Sequence, residues 1–292
     1  MVRLKNMEEI RKISIKDKSY PKPLKKIANP PKALYIKGEF PSDGSYFAVV
    51  GTRRFSHYGK QVTLEITGDL AQAGLTIISG LAPGIDTFAH QITTEKRGRT
   101  IAVLGTGLDE KSIYPQSNLK LAREIVKTGG CLISEYPPGT HGSKLTFPQR
   151  NRIVSGLSLG VLVVEAKQKS GALITANYAF SQKRKVFAVP GPIHSSNSKG
   201  PHYLIKKGAK LVESADDILK ELNLPFAKNK IIEGETEEER LILRVLNEES
   251  LYIDKIIEKT KFSTPITAST LAILEIKGKV RNLGGNIWTL SR

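Results

Sequence analysis

The chain has 292 residues, 39% of them apolar, and carries 45 Lys and Arg against 28 Asp and Glu, a formal net charge of +17. That length holds about two domains with real cores, and the cationic excess repels cationic partners and attracts nucleic acid or an anionic surface. One cysteine, Cys131, excludes a disulfide framework and a thiolate metal site; the start Met1-Val2-Arg3-Leu4-Lys5 lacks an apolar signal core, and no apolar stretch approaches the roughly 18 residues of a membrane span, so a cytoplasmic protein without a membrane partner is expected.

Residues 1–41 read as a short basic leader. Tyr20-Pro21-Lys22-Pro23 and Asn29-Pro30-Pro31 are expected to deny it long regular structure, leaving it to drape over the core or form one small helical turn. From 42 to 223 short apolar runs alternate with helical patterns, the signature of a parallel sheet with crossover helices. Expected strands are Tyr46 to Val50, Leu75 to Ser79, Thr100 to Leu104, Cys131 to Ser134, Gly160 to Glu165, Lys185 to Val189 and Lys210 to Val212. Several are apolar on consecutive residues, as strands buried on both faces are. Val62 to Ala73 and Leu119 to Lys127 read as helices that end at Gly74 and Gly129-Gly130.

Residues 224–236, with Leu224-Pro225 and the acids from Glu233 onward, read as an acidic linker. In 237–292 three helical segments, Glu237 to Leu246, Ile253 to Lys259 and Thr264 to Lys277, precede two strand-like pieces joined through Leu283-Gly284-Gly285-Asn286, a hairpin turn. Three helices and a hairpin describe a winged helix. The expected fold class is thus α/β, a doubly wound sheet followed by a small C-terminal winged-helix domain.

The segment Phe147-Pro148-Gln149-Arg150-Asn151-Arg152 sets a ring, two arginines and amides side by side, equipment for a polyanion with bases. Arginine offers charged donors to phosphate, the ring offers a stacking face, and an amide can bond a base edge. The loops after the strands have a phosphate-friendly composition: Gly51-Thr52-Arg53-Arg54, Gly80 to Gly84, and Ser170-Gly171. Glycine there admits a phosphate to backbone N–H groups, and all these loops follow strand C-termini, the edge on which open parallel sheets bind ligands. A solvated helix start and plain turns are the bland alternatives for each feature taken singly. Gly105-Thr106-Gly107 fails as a dinucleotide fingerprint because Glu110 takes the third glycine's place, and no P-loop occurs. Asp86 and His90 share a helix face, but a helix-start aspartate and a hydrogen-bonded histidine are the preferred reading. His57, His141, His194 and His202 show no metal-ligand spacing, so neither metal nor cofactor is expected. Glu135 and Glu165 end strands, and a role in bonding a loop backbone is expected of them.

Taken in order, Val49-Val50-Gly51-Thr52-Arg53, Ser79 to Asp86 with Ala89-His90, Thr100 to Gly105, Ser134-Glu135-Tyr136-Pro137-Pro138-Gly139, Phe147 to Ser158, Val163 to Ala166, Ser170 to Ala176 and Val186 to Gly191 resemble the DNA-processing protein A (DprA/Smf) family. The resemblance covers residues 20 to 222 closely and the tail more loosely. It implies an extended Rossmann-like domain, no enzymatic activity, and a homodimer that binds and shields single-stranded DNA and loads the RecA recombinase during natural transformation. By position Arg53 would hold phosphate, Lys144 would add a cationic contact, and Phe147 to Arg152 would line the pocket. There are two departures. Pro83 stands where a basic residue is usual, and the leader is too short for the helical N-terminal domain many members carry.

Two rivals remain. A nucleotide-processing hydrolase would use glutamates near glycine loops, but the Pro-Gly-Gly-x-Gly-Thr motif of the nearest such enzymes does not occur. A winged-helix regulator would read duplex DNA, yet its third helix offers Thr264, Thr267, Ser269 and Thr270 and no arginine near its start.

Overall fold

The computed structural model describes residues 9–41, 44–225 and 234–290; the basic start of the leader and most of the expected acidic linker lie outside the described residues. The chain divides into two compact units, Met1–Phe226 and Ala227–Arg292.

The first unit is built on β1 (Ile10–Ser14), β2 (Ala33–Gly38), β3 (Tyr46–Val50), β4 (Thr76–Ser79), β5 (Thr100–Leu104), β6 (Cys131–Ser134), β7 (Gly160–Val163), β8 (Lys185–Ala188) and β9 (Lys210–Leu211). Among the described residues they form one sheet in the order β1-β2-β6-β5-β4-β3-β7-β8-β9. Strands β3 to β9 pair in parallel, while β2 runs antiparallel to β6 and β1 antiparallel to β2. From β3 the chain steps outward through β4, β5 and β6, then returns to the other side of β3 for β7 to β9. The order reverses between β3 and β7, which is where an open α/β sheet leaves a crevice at its C-terminal edge.

Both faces are covered, as the continuous apolar strands require. In β3, Tyr46, Ala48 and Val50 point into one core together with Leu24, Ile153, Ala176 and Leu204. These come from α1 (Lys22–Lys25), α5 (Thr146–Leu157), α6 (Gly171–Ser181) and α7 (Lys199–Lys206). Phe47 and Val49 point the other way, into a core with Leu70, Ile85 and Ile218, which belong to α2 (His57–Gln72), α3 (Ile85–Glu95) and α8 (Ala215–Glu221). On that same face Ile125 of α4 (Leu119–Lys127) packs on Leu104 and Leu132. Each such fully buried side chain contributes about 1.5–3 kcal/mol, which makes the sheet a rigid base for its loops.

The expected irregularity of the leader is corrected. The leader supplies β1 and β2, and only α1 is the expected single turn of helix. Pro21, Pro23, Pro30 and Pro31 all fall in the connection between the two strands, so no ladder N–H is lost to proline. The β2 strand alternates, burying Leu34 and Ile36, and Tyr20 closes the connection by donating from its hydroxyl to Pro31 O at 2.7 Å.

His90 is a buried structural residue. Thr100 Oγ1 donates to Ile77 O at 2.8 Å and lies 2.7 Å from His90 Nδ1, so Nδ1 carries the proton. The other ring nitrogen, Nε2, is buried without a hydrogen-bond partner. Burial, with Arg150 nearby, depresses the ring's pKa from the ordinary 6.5 to about 3.

The second unit comprises α9 (Glu237–Glu248), β10 (Leu251–Tyr252), α10 (Ile253–Thr260), α11 (Thr264–Ile276), β11 (Val280–Asn282) and β12 (Ile287–Leu290). Its sheet runs β10-β12-β11 over a core that includes Ile242, Leu246, Leu271, Leu274 and Trp288. The expected winged helix is present, with β10 as an addition too short to show alternation in the sequence. Gly284, Gly285 and Asn286 all take positive φ in the hairpin turn, which explains the residue choice. The acids at the start of this unit are not a free spacer: Glu235 and Glu239 each meet Lys277 Nζ at 2.7 Å, and Thr236 caps α9 by accepting from Glu239 N at 3.2 Å.

Candidate nucleic-acid interface

The loops at the C-terminal edge of the sheet enclose a cleft of about 880 Å³, of the size that takes small organic ligands or nucleotides. It is lined by Gly51 and Arg53 after β3, Gly80 after β4, Tyr114 after β5, Lys144 just before α5, Phe147, Arg150 and Asn151 from the start of α5, and Ser170 and Gly171 after β7. Of the expected site residues, Thr52, Arg54, Gly84, Gln149 and Arg152 lie outside that lining.

The first loop is fixed from behind. A β-carbon at Gly51 would fall 2.5 Å from Ile85, so only glycine lets the chain turn against α3. Thr52 is buried and donates from its N–H to Glu165 O at 2.7 Å. The Glu165 carboxylate accepts from Ser56 N at 2.9 Å and Ser56 Oγ at 2.6 Å, and Asn197 Nδ2 donates to Arg54 O at 2.9 Å. Glu165 therefore bonds a loop, as the sequence suggested. The result is that Arg53 projects, exposed, from a backbone held on both sides.

The second loop is tied to α5 through Gly80, which bonds both Asp86 and Arg150, two buried groups of opposite charge. Asp86 Oδ2 accepts from Gly80 N at 3.1 Å, and Arg150 Nη1 donates to Gly80 O at 2.7 Å and to Val103 O. Burial pushes the Asp86 carboxyl up and the Arg150 guanidinium down to about 10, each opposed by the other's charge. The Asp86 carboxylate is further held by the backbone N–H groups of Gly51 and Ala82. Gly84 turns the chain into α3 at φ 87° with its would-be side chain against Thr52 O, a position that requires glycine for shape alone.

These facts change the roles expected of the two arginines. Arg150 is 5% exposed, with Nη1 engaged by carbonyls of the sheet edge and Nε by Asn151. Arg152 is 7% exposed and points away from the cleft: Nη2 meets Glu135 at 2.7 Å, Nη1 donates to Gln149 O at 3.0 Å, and Nε donates to Asn29 O at 3.0 Å. It joins α5, the loop after β6 and the leader. Asn151 is likewise engaged, donating to Gly171 O at 3.2 Å and accepting from Arg150 Nε at 3.1 Å. Gln149 is exposed outside the lining and accepts from Tyr136 Oη at 2.9 Å. The sequence placed these side chains next to one another, but successive helical residues point 100° apart.

What remains free forms the mouth. Phe147 is half-buried, with its ring against Gly105 and Gly142, whose missing side chains leave it room. The Arg53 guanidinium lies 5.9 Å from the centre of that ring, and the Tyr114 ring lies 5.6 Å from it at an interplanar angle of 46°. Tyr114 is 49% exposed. Lys144 and Lys111 are exposed on the rim. The first turn of α6 opens into the cleft, with Ser170 Oγ accepting from Ala172 N at 3.3 Å, and a side chain at Gly171 would meet nothing within 4 Å. Rings, exposed cations and an open helix start are suited to bases and phosphates.

Sequence reasoning missed Tyr114, Lys111 and His141 of the lining. The signal was an aromatic residue in the loop that follows β5, a loop weighed only as a glycine fingerprint.

Comparisons with known proteins place the chain in a family. Residues 11–223 match the family model for DNA recombination-mediator protein A, and residues 214–286 match a DprA winged helix domain. The chain is 47% identical over 215 residues to DNA processing protein DprA of Bacillus subtilis, covering 73% of this chain and 71% of that one. It is 39% identical over 284 residues to protein Smf of Escherichia coli, covering 94% and 75%. Among solved structures it resembles DNA processing protein A from Streptococcus pneumoniae, with 41% identity, a TM-score of 0.67, and 76% and 77% of the two chains covered. It also resembles DNA processing protein A from Helicobacter pylori, described for its single-stranded DNA binding mode, with 31% identity, a TM-score of 0.65, and 74% and 97% covered.

Proposed function

Because this chain belongs to the DNA recombination-mediator protein A family, we propose that its cleft binds single-stranded DNA with little regard to sequence. The observation that carries the reading is the grouping of Arg53, Phe147 and Tyr114 at the mouth. The rings offer π-faces that any base can use, at about 1–3 kcal/mol per stacked base, and Arg53 and Lys144 meet the backbone charge. The Helicobacter pylori relative's described binding mode supports the same ligand.

Binding is favoured over hydrolysis. The carboxylate in the lining, Asp86, is buried and held by Arg150 and three backbone N–H groups, which leaves it no role as a free acid or base. Duplex reading by the second unit is disfavoured, since α11 contains no Lys or Arg and exposes Ile266, Ile273 and Ile276. We further propose, from family membership, that the protein acts as a homodimer in the cytoplasm, shields incoming strands during natural transformation and passes them to RecA. Among the described residues no helix is long and apolar enough to cross a membrane.

The test is a titration with labelled single- and double-stranded oligonucleotides at two salt concentrations. Single strands should bind tighter than duplex, with affinity falling by about 0.7 decades per decade of salt for each phosphate contacted. Equal affinity for the two forms would overturn the reading.

A further inference from the structure

The leader's charge is not absorbed by the cleft. Between residues 9 and 41 the sequence has nine Lys and Arg against three Asp and Glu. Lys16, Lys18, Lys22, Lys25, Lys26 and Lys32 are exposed, and among the described residues no ion pair engages any of them. Unpaired like charges on one short segment repel one another, and a polyanion laid over them would relieve that repulsion.

The register places them. Ser14 pairs with Ala33, and Tyr35 with Ser134 at the C-terminal end of β6. The connection from β1 to β2 therefore leaves from the cleft edge of the sheet, where Lys16, Lys18 and Lys32 flank the strand ends, Ile15 N bonding Lys32 O at 3.0 Å. From there it runs down the outside of α5. Leu24 and Ile27 pack on Gly156 near the far end of that helix, where a side chain would fall 3.0 Å or less from them, and Arg184 Nη2 reaches Pro23 O at 3.4 Å and Gly156 O at 2.9 Å. Lys22, Lys25 and Lys26 belong to that lower part. Arg152, in the middle, bonds Asn29 O. Residues Arg152 to Ser158 of the α5 segment are all buried. On this flank of the cleft, the surface a strand would meet is the leader and not α5.

We propose that the leader's lysines form a second phosphate track, continuous with the cleft, along which single-stranded nucleic acid runs after passing Phe147. This rests on the reading of the cleft as a single-strand site. The Arg152 bridge gives the track a fixed register against the cleft, and the Lys25 ammonium, 5.6 Å over the buried Tyr20 ring, shows one of its cations anchored on the leader's own frame. A track of this kind lengthens the site without adding sequence preference, because lysine meets phosphate as a point charge.

The experiment uses the full chain, oligothymidylates of six and thirty nucleotides, and two triple variants: Lys16→Gln/Lys18→Gln/Lys32→Gln in the leader, and Lys96→Gln/Lys127→Gln/Lys220→Gln on the other face of the sheet, with equal loss of charge. All six residues are exposed, so both variants should fold, which circular dichroism checks. The leader variant should hold the short strand within twofold of the unmodified protein and the long strand at least tenfold more weakly. Its salt slope for the long strand should fall by about two, as three lost phosphate contacts require. The control variant should bind both strands nearly as before. Equal weakening of the long strand by the two variants, equal weakening of both lengths by the leader variant, or no weakening at all would overturn the track while leaving the cleft in place. Failure of the unmodified protein to bind either strand would overturn the cleft reading and the track with it.

Discussion

The Arg53 guanidinium stands 5.9 Å from the centre of the Phe147 ring, joining the loop after β3 to the start of α5 across the mouth of the cleft. The ring lies within cation–π reach of the guanidinium, while Arg53 itself is exposed to solvent. Charge and stacking surface are thus held in one geometry, and they can be separated by substitution.

Arg53→Ala should weaken single-strand binding by about 1–3 kcal/mol through loss of a charge-assisted phosphate contact, with the salt slope lowered by about 0.7. Fluorescence anisotropy at several salt concentrations measures both. An unchanged affinity in a folded variant would remove Arg53 from the site.

Tyr114→Ala and Phe147→Ala should each cost about 1–3 kcal/mol of affinity and leave the salt slope nearly unchanged, because a ring contributes stacking and no charge. Lys144→Ala should do the reverse, lowering the slope. If the ring variants and the lysine variant altered the slope alike, the division between stacking and charge would be wrong.

Arg150→Met should destabilise the fold by about 3–5 kcal/mol, since it leaves Asp86 buried without its counter-charge. Urea unfolding at neutral pH reads this as a lowered midpoint with the same slope. Combining it with Asp86→Asn should cost less than the sum of the two single changes, and strict additivity would show that the pair does not act as one.

Acid should destabilise the protein through His90. Its folded-state pKa, about 3, lies below the ordinary 6.5, so the neutral ring's contribution is complete above pH 6.5 and is lost as pH falls towards 3, by up to roughly 4–5 kcal/mol. His90→Asn keeps a polar partner for Thr100 and removes the titration. Its unfolding free energy should vary less between pH 6.5 and pH 4 than that of the unmodified chain; identical pH profiles would exclude His90 as the source.

Removing residues 227–292 should leave a folded first unit whose single-strand affinity stays within about tenfold of the full chain, a difference of about 1.4 kcal/mol. The cleft lining and the leader lysines all lie before that boundary. A folded truncation that lost most of its affinity would move the main binding surface to the winged helix.

The sequence by itself determined the parallel part of the sheet, its C-terminal edge and the glycine loops of the site. Consecutive apolar residues such as Tyr46 to Val50 and Thr100 to Leu104 admit little but strands buried on both faces, and glycines at strand ends mark the turns behind Arg53 and before α6. Those signals are local, so they survive without coordinates. Only the tertiary structure decided which of the cations around Phe147 are free. Arg150 and Arg152 read in the sequence as phosphate ligands, yet their partners, Gly80, Val103, Asn29 and Glu135, lie 17 to 123 positions away. Tyr114 became a neighbour of Phe147 through two different crossovers, and the leader became two strands because its prolines cluster in one connection. Burial and long-range hydrogen bonding set whether a charged side chain meets solvent or the core, and neither is written in the spacing of residues along the chain.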